Sequence, residues 1–304
     1  MPDALAPGLY LVATPIGNLG DITLRALEVL KSADRIACED TRQTQKLLNH
    51  YGIPTPTVSY HQHNEFSRAP ELLKAIQEGK AIAVVSDAGM PGISDPGSVL
   101  VREAIAAGVP VIPIPGANAA LSALIASGLP TEQFHFLGFL PEKAGARRTR
   151  LEDIADQARD SAQTILFYEA PHRIAGTLAD IEAVFGPALR VAVARELTKL
   201  HEEFLRGTIA EVRARLDDRE RIRGEFVVLI EVAAKSKTPG APGLASETGE
   251  RNPAVRSTLS ERLARLQSDS GLDEKEALKR LARESGVSKS ELYRELQRER
   301  ARRK

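Results

Sequence analysis

Tryptophan is absent from the 304 residues, aromatic side chains make up only 4%, and there is a single cysteine, Cys38. With so few rings, aromatic cages and long stacking platforms do not dominate any binding surface. A lone cysteine excludes an internal disulfide framework and a Cys-rich zinc site. A net charge is also missing, since 41 Lys and Arg balance 41 Asp and Glu. So is a long apolar run. The most apolar stretch, 109–130, is broken by Pro110, Pro113, Pro115 and two glycines, which is wrong for a membrane span. The first seven residues carry Asp3 and no basic segment leading into an apolar one, so no secretory signal is expected and a cytoplasmic location is. Neither G-x-G-x-x-G nor a Walker A pattern occurs, so dinucleotide or triphosphate binding is not indicated.

What is present is an ordinary globular composition, 42% hydrophobic and 27% charged, in a chain long enough for two or three cores. The balanced charge is unevenly spread. Residues 251–304 hold 15 Lys and Arg against 9 Asp and Glu, a net of +6, which leaves −6 on the rest. A basic tail on a neutral protein points to a polyanionic partner, with a solvated helical surface as the plainer reading.

Short Val- and Ile-rich runs alternate with helical patterns through the first 235 residues. Strands are expected at Leu9–Ala13, Arg35–Cys38, Thr57–Tyr60, Ala81–Val85 and Val109–Ile114, with helices such as Leu24–Lys31 and Phe66–Glu78 between them. Such βαβ units build a buried, largely parallel sheet. A second set follows at Phe134–Phe139, Thr164–Tyr168, Arg190–Ala194, Glu203–Arg206 and Phe226–Val232, and its closely spaced last strands predict some antiparallel pairing. The fold class expected is α/β, with two α/β domains at 1–120 and 121–235. Residues 236–255 read as a linker rich in Pro, Gly, Ser and Thr. Beyond it, capping-box spacings at Thr258/Glu261, Asp273/Glu276 and Ser288/Glu291 predict a basic helix-turn-helix-like domain over 256–304.

Three turn-rich loops sit just after expected strands: Thr14–Asn18, Ser86–Gly97 and Pro115–Asn118. Open α/β sheets bind ligands beyond the carboxyl ends of their strands, and glycine there lets backbone approach a ligand closely. Any one of these loops is as easily a simple turn. The set of three suggests a nucleotide-like site.

Taken in order, VATPIGNLGDITLRA, ACEDTR, VVSDAGMPGISDPG, PIPGANAA, GFLPEKAGARR, FYEAPHR, ARELTK and RGEFVVLIE closely resemble the tetrapyrrole methylase superfamily. Within it they are similar to the branch that methylates small-subunit ribosomal RNA. The resemblance covers residues 8–234, and the helical tail also fits it. It implies two α/β domains with S-adenosylmethionine as methyl donor in the cleft between them, no metal, and a homodimer. The implied substrate is the small ribosomal subunit or its RNA, and the implied reaction is 2′-O-ribose methylation of cytidine 1402 of the 16S RNA. By motif it places the donor on Pro15 and Gly17, on Asp87, Ala88, Gly89, Met90 and Pro91, and on Gly116, Ala117 and Asn118. Tyr168, Glu169, Leu197 and Gly224 complete the set. Asp87 suits a donor that carries a sulfonium cation and an ammonium group.

Methyl transfer to a ribose hydroxyl is an in-line displacement, helped by positioning and by a base that takes the hydroxyl proton. Glu39, Asp40 and Glu169 are the leading candidates, with His63, Glu65 and Glu196 behind them. His61 and His63 have H-x-H spacing but no clear third ligand, which favours solvent- or substrate-facing rings over a metal. Arg42, Arg173 and Arg195, with His63, are expected to contact RNA, the arginines clamping phosphate unless each is an internal ion pair. Lys143, Arg147, Arg148 and Arg150 around Gly145 suit a flexible RNA-gripping loop, with a solvated helix start as the alternative. Two other functions compete. A methyltransferase for a small tetrapyrrole-type molecule would need neither the basic segment nor the tail. A non-catalytic RNA-binding protein would not need the donor loops.

Overall fold

The computed structural model describes residues 5–157 and 163–232. The linker and the helix-turn-helix-like segment expected from the sequence lie outside the described residues.

The first half is a five-stranded, wholly parallel sheet of order β3-β2-β4-β1-β5. Its strands are β1 (Gly8–Val12), β2 (Arg35–Cys38), β3 (Thr57–Ser59), β4 (Ala81–Val85) and β5 (Val111–Ile114). They alternate with α1 (Leu24–Ser32), α2 (Thr41–His50), α3 (Glu65–Gln77) and α4 (Ser98–Ala106). The central strand β4, Ala-Ile-Ala-Val-Val, is buried at every position, as a strand covered on both faces must be. One face packs Ala26, Val29 and Leu30 of α1 and Leu48 of α2 against Val12, Ala83 and Val85. The other packs Leu72 and Ile76 of α3 and Leu100 of α4 against Leu9, Ile82 and Val84. Local chemistry starts the helices: the Thr23 hydroxyl accepts the Ala26 N–H, and the Asp40 carboxylate accepts the Arg42 N–H.

The second half is a mixed sheet, β6-β7-β10-β8-β9, in which only β6 and β7 run parallel. Its strands are β6 (Phe134–Phe139), β7 (Gln163–Glu169), β8 (Arg190–Arg195), β9 (Glu203–Thr208) and β10 (Phe226–Val232). Alternation sorts their side chains between two cores. Ile165, Phe167, Val228 and Ile230 meet α6 (Ala144–Gln157), α7 (Ile174–Phe185) and α8 (Ile209–Asp217) on one face. Leu166, Val227 and Leu229 meet Ala120, Ala123 and Leu124 of α5 (Ala119–Ser127) on the other. Helix α5 thus follows the last strand of the first sheet in sequence but covers the second.

One expectation changes here. Of the two readings of Lys143–Arg150, the helix start replaces the flexible loop: all but its first residue belong to the opening turns of α6. Arg147 is buried at 6% exposure, and its Nε donates to Asp180 of α7 at 2.8 Å. The Arg148 Nε reaches the other oxygen of the same carboxylate at 2.5 Å. A full negative charge supplied by α7 offsets the unfavourable meeting of two cations with a helix N-terminus.

Candidate active site

The strand order β4-β1-β5 sets the carboxyl ends of three neighbouring strands side by side, and with them the three loops. The first two are joined by an isolated antiparallel bridge. The Thr14 N–H donates to the Gly89 carbonyl at 2.9 Å and the Gly89 N–H to the Thr14 carbonyl at 3.1 Å. The third comes as close as backbone can, since a Cβ on Gly116 would lie 2.9 Å from the Ala13 Cβ. Asn118 then caps α5, its side chain accepting the Leu121 N–H at 2.9 Å.

Between these loops and the second sheet lies a cavity of about 390 Å³, the size of a small-molecule site. Of the residues expected to hold a donor, Ala88, Gly89, Met90, Asn118, Tyr168, Glu169 and Leu197 line it. Pro15, Asp87, Pro91, Gly116 and Ala117 stand in the same loops but do not line it. Asp87 turns toward the end of β2, where its Oδ1 accepts the Asp40 N–H at 3.1 Å.

Gly17 and Gly224 stand apart from the other expected donor residues. Neither lines the cavity. Each makes room for the segment 196–199, whose Leu197 does. The Lys199 stem lies over Gly17, and the Glu196 side chain over Gly224. Lys199 Nζ binds Glu196 Oε1 at 2.9 Å and Glu225 Oε2 at 3.0 Å, and Glu196 Oε1 also accepts the Glu225 N–H. Glu196 and Thr198 both have positive φ, 51° and 65°. Strained non-glycine residues on either side of a cavity-lining side chain are characteristic of a functional wall. Burial alone would raise the Glu196 carboxyl, but the Lys199 and Glu225 contacts outweigh it and hold it low.

The three leading candidates for a base fare differently. Glu169 lines the cavity but is fully engaged. Its Oε1 accepts the Ala170 N–H at 2.8 Å, Oε2 accepts the Thr177 hydroxyl at 2.6 Å, and Arg173 Nε stands 3.1 Å away. It is an anchor for the end of β7 rather than a free base. Asp40 caps α2 and is paired with Arg42, whose hydrogen bonds lower its carboxyl further from a base's range. Glu39 is half-buried, and desolvation, then the Asp87 charge, raises its carboxyl. It does not line the cavity.

The expected RNA contacts divide too. Arg173 donates to the Leu140 and Pro141 carbonyls as well as facing Glu169, and Arg195 Nε donates to the Arg223 carbonyl at 2.6 Å. Both therefore take the internal ion-pair alternative, Arg173 with Glu169 at 3.1 Å and Arg195 with Glu203 at 3.6 Å. Arg147 is internal as described above. Arg42, His63, Lys143 and Arg148 are exposed, and Arg150 is half-exposed. The His63 ring meets His61 edge to face, with centroids 5.9 Å apart. Among the described residues, no group of three or more His, Cys, Asp or Glu is placed to hold a metal ion.

Asp95, Ser94 and Phe139 also line the cavity and were not among the expected site residues. Asp95 and Ser94 belong to the flagged loop Ser86–Gly97, but only Asp87–Pro91 of it was assigned. Phe139 ends an ordinary-looking strand and packs edge-on to Tyr168 with centroids 5.6 Å apart.

A model of the tetrapyrrole (corrin/porphyrin) methylases matches residues 8–213. The chain belongs to the tetrapyrrole methylase family. Two relatives at 48–55% identity carry the name of a ribosomal RNA methyltransferase. "Ribosomal RNA small subunit methyltransferase I" of Halalkalibacterium halodurans is 55% identical over 223 residues, covering 73% of this chain and 75% of that protein. The protein of the same name from Synechocystis is 48% identical over 267 residues, covering 88% and 92%. Among solved structures, the methyltransferase CobJ superposes with a TM-score of 0.54 at 21% identity, over 75% of this chain and 95% of its own. That likeness establishes the tetrapyrrole methylase fold alone.

The Glu169 anchor supports a direct check. Thr177→Val is isosteric but leaves one carboxylate oxygen of a buried residue without its donor. It is expected to lower stability by about 1–3 kcal/mol, measured by thermal or denaturant unfolding, because an unmet buried acceptor loses its solvation uncompensated.

Proposed function

We propose that this chain is an S-adenosylmethionine-dependent methyltransferase acting on small-subunit ribosomal RNA, at the ribose 2′-oxygen of cytidine 1402. The observation that carries the reading is the cavity itself, closed on one side by three strand-end loops and on the other by Tyr168, Leu197 and the start of β10. Relatives of matching length at 48–55% identity that are named for this class of RNA support the substrate.

The residues fit such a donor. Ala88, Gly89 and Ala119 leave room for a flat, close-lying group, Met90 and Leu197 supply apolar walls, and the α5 N-terminus beside Asn118 suits a carboxylate. When bound, the donor supplies an electrophilic methyl on a sulfonium. The protein's part is to exclude water, hold the acceptor ribose in line with that methyl, and remove its proton. Arg42, His63, Lys143, Arg148 and Arg150 remain as RNA contacts on the outer surface, and the tail with its net charge of +6 adds phosphate affinity. In this reading the 1–120 and 121–235 domains share the donor, the protein works as a cytoplasmic homodimer, and no metal takes part. Among the described residues, no helix is long and apolar enough to cross a membrane.

Ribose methylation mapped on small-subunit RNA from cells with and without the protein tests the proposal. Loss of one 2′-O-methyl cytidine, restored by the purified full chain with S-adenosylmethionine, is expected. An unchanged methylation map would overturn it.

A further inference from the structure

We propose that Asp95 is a catalytic residue whose carboxylate takes the proton from the acceptor hydroxyl during methyl transfer. The inference rests on the methyl-transfer reading above and supplies the base which that reading leaves unnamed.

Three carboxylates line the cavity: Asp95, Glu169 and Glu225. Glu169 is held by a backbone N–H, a hydroxyl and an arginine. Glu225 is bound to Lys199 and its side chain is 80% exposed. Asp95 is half-buried, and the one neighbour that lowers its carboxyl is the Ser86 hydroxyl rather than a cation. Among the described residues, no Lys or Arg lines the cavity. The charged and titratable groups around Asp95 are Glu39 at the end of β2, Asp87 after β4 and the Tyr168 phenol on β7, with His61 reaching the group through Glu39. Desolvation first, then the Glu39 charge, pushes the Asp95 carboxyl up to about 6. That is the range of a base working near neutral pH.

The backbone also holds Asp95 in place. The Gly92 N–H donates to the Pro96 carbonyl at 3.1 Å, closing a tight loop around it. Ser94 adopts φ 62°, and Gly92 and Gly97 adopt 82° and 142°. A Cβ on Gly97 would meet the Gly92 nitrogen at 3.3 Å. Opposite, β6 shifts register against β7 between Phe136 and Phe139, and Gly138 in that bulge lies under the Ser94 hydroxyl. A strained loop that its surroundings over-determine, beside a bulge, is the construction used to aim a reacting side chain.

The step balances. The ribose oxygen forms a bond to the methyl carbon as the sulfur–carbon bond breaks. Both electrons of that bond go to sulfur, which becomes a neutral thioether. The hydroxyl proton passes to the Asp95 carboxylate and then to solvent.

The test uses the full chain and its Asp95→Asn variant. Three measurements are made: single-turnover methylation of small ribosomal subunits at saturating S-adenosylmethionine, donor affinity by calorimetry, and unfolding of the donor-free protein, each from about pH 5 to about pH 9. The wild-type rate should rise with pH and level off above about 6. The variant should lose at least about 100-fold in rate and lose that rise, with donor affinity within about threefold of wild type. The donor-free variant should be more stable than wild type at neutral pH. A carboxyl raised in the folded state costs stability above its folded pKa, and that cost disappears as pH falls below the unfolded value. Methylation by the variant within about threefold of wild type, with the same pH profile, would overturn the assignment. So would a rate loss explained entirely by weakened donor binding. A wild-type protein inert toward small subunits would overturn the methyl-transfer reading itself, and this inference with it.

Discussion

Asp180→Ala is expected to destabilise the protein by about 3–5 kcal/mol, because it leaves the Arg147 guanidinium charged and unpaired inside the second domain. The side chains of Arg147 and Asp180 are 7% and 3% exposed, and they meet at 2.6 Å. At roughly 2–4 °C per kcal/mol for a domain of this size, the melting temperature should fall by about 10 °C. Arg148→Ala, which removes the outer and 59% exposed partner of the same carboxylate, should cost under about 1 kcal/mol. Replacing both inner partners, as Arg147→Met with Asp180→Leu, should recover most of the loss, since a packed apolar pair often matches a buried ion pair. The ion pair also carries a pH signature. Burial would raise the Asp180 carboxyl, but hydrogen bonds from Arg148 and Arg147 outweigh that and lower it. Its contribution is therefore complete at neutral pH and is lost as acid brings the pH down through the lowered folded value. Thermal unfolding of the four proteins checks all of this. An Asp180→Ala protein as stable as wild type would show that Arg147 has another partner or escapes to solvent. Such a result would also revive Arg147 as an RNA contact.

Gly224→Val should weaken S-adenosylmethionine binding at least about tenfold, close to 1.4 kcal/mol, while the fold is kept. A Cβ there would lie 2.5 Å from the Glu196 Cγ and 2.6 Å from its Cδ. Glu196 cannot simply swing away without giving up Lys199 and the Glu225 N–H, and Leu197 of the cavity wall follows it directly. Backbone strain adds to the collision, because φ at Gly224 is +98°. Gly79→Val separates the two effects. Its φ is nearly the same, +95°, yet nothing lies within 4 Å of its Cβ position. The control should show the strain cost in unfolding and no change in donor affinity by calorimetry. Equal donor affinity in the Gly224 variant would remove the 196–199 segment from the site.

The two variants also mark where reading the chain in order stops being enough. Strand periodicity is local: Arg35–Cys38, Ala81–Val85, Phe134–Phe139 and Phe226–Val232 appear in the structure with the boundaries their patterns predict. The parallel first sheet follows from βαβ alternation, and the antiparallel pairing in the second from its short late connections. Loop chemistry at the strand ends was likewise legible, because glycine and proline after a buried strand report on backbone alone. Side-chain partners were not. Lys143–Arg150 reads as free positive charge until α7 brings Asp180, 33 residues beyond Arg147, against it. Glu169 reads as a base, and Arg173 as either a phosphate clamp or an internal ion pair; the groups that engage them come from α7, the turn after β7 and the segment just past β6. Asp95 carries no signal of its own beyond its place in the loop Ser86–Gly97. Periodicity and turn preference are set within a few residues and therefore survive in the order of the chain. Whether a charge is paired, desolvated or left facing a cavity depends on groups far away in sequence, so only the packing of the two sheets decided which carboxylates are paired and which face the cavity.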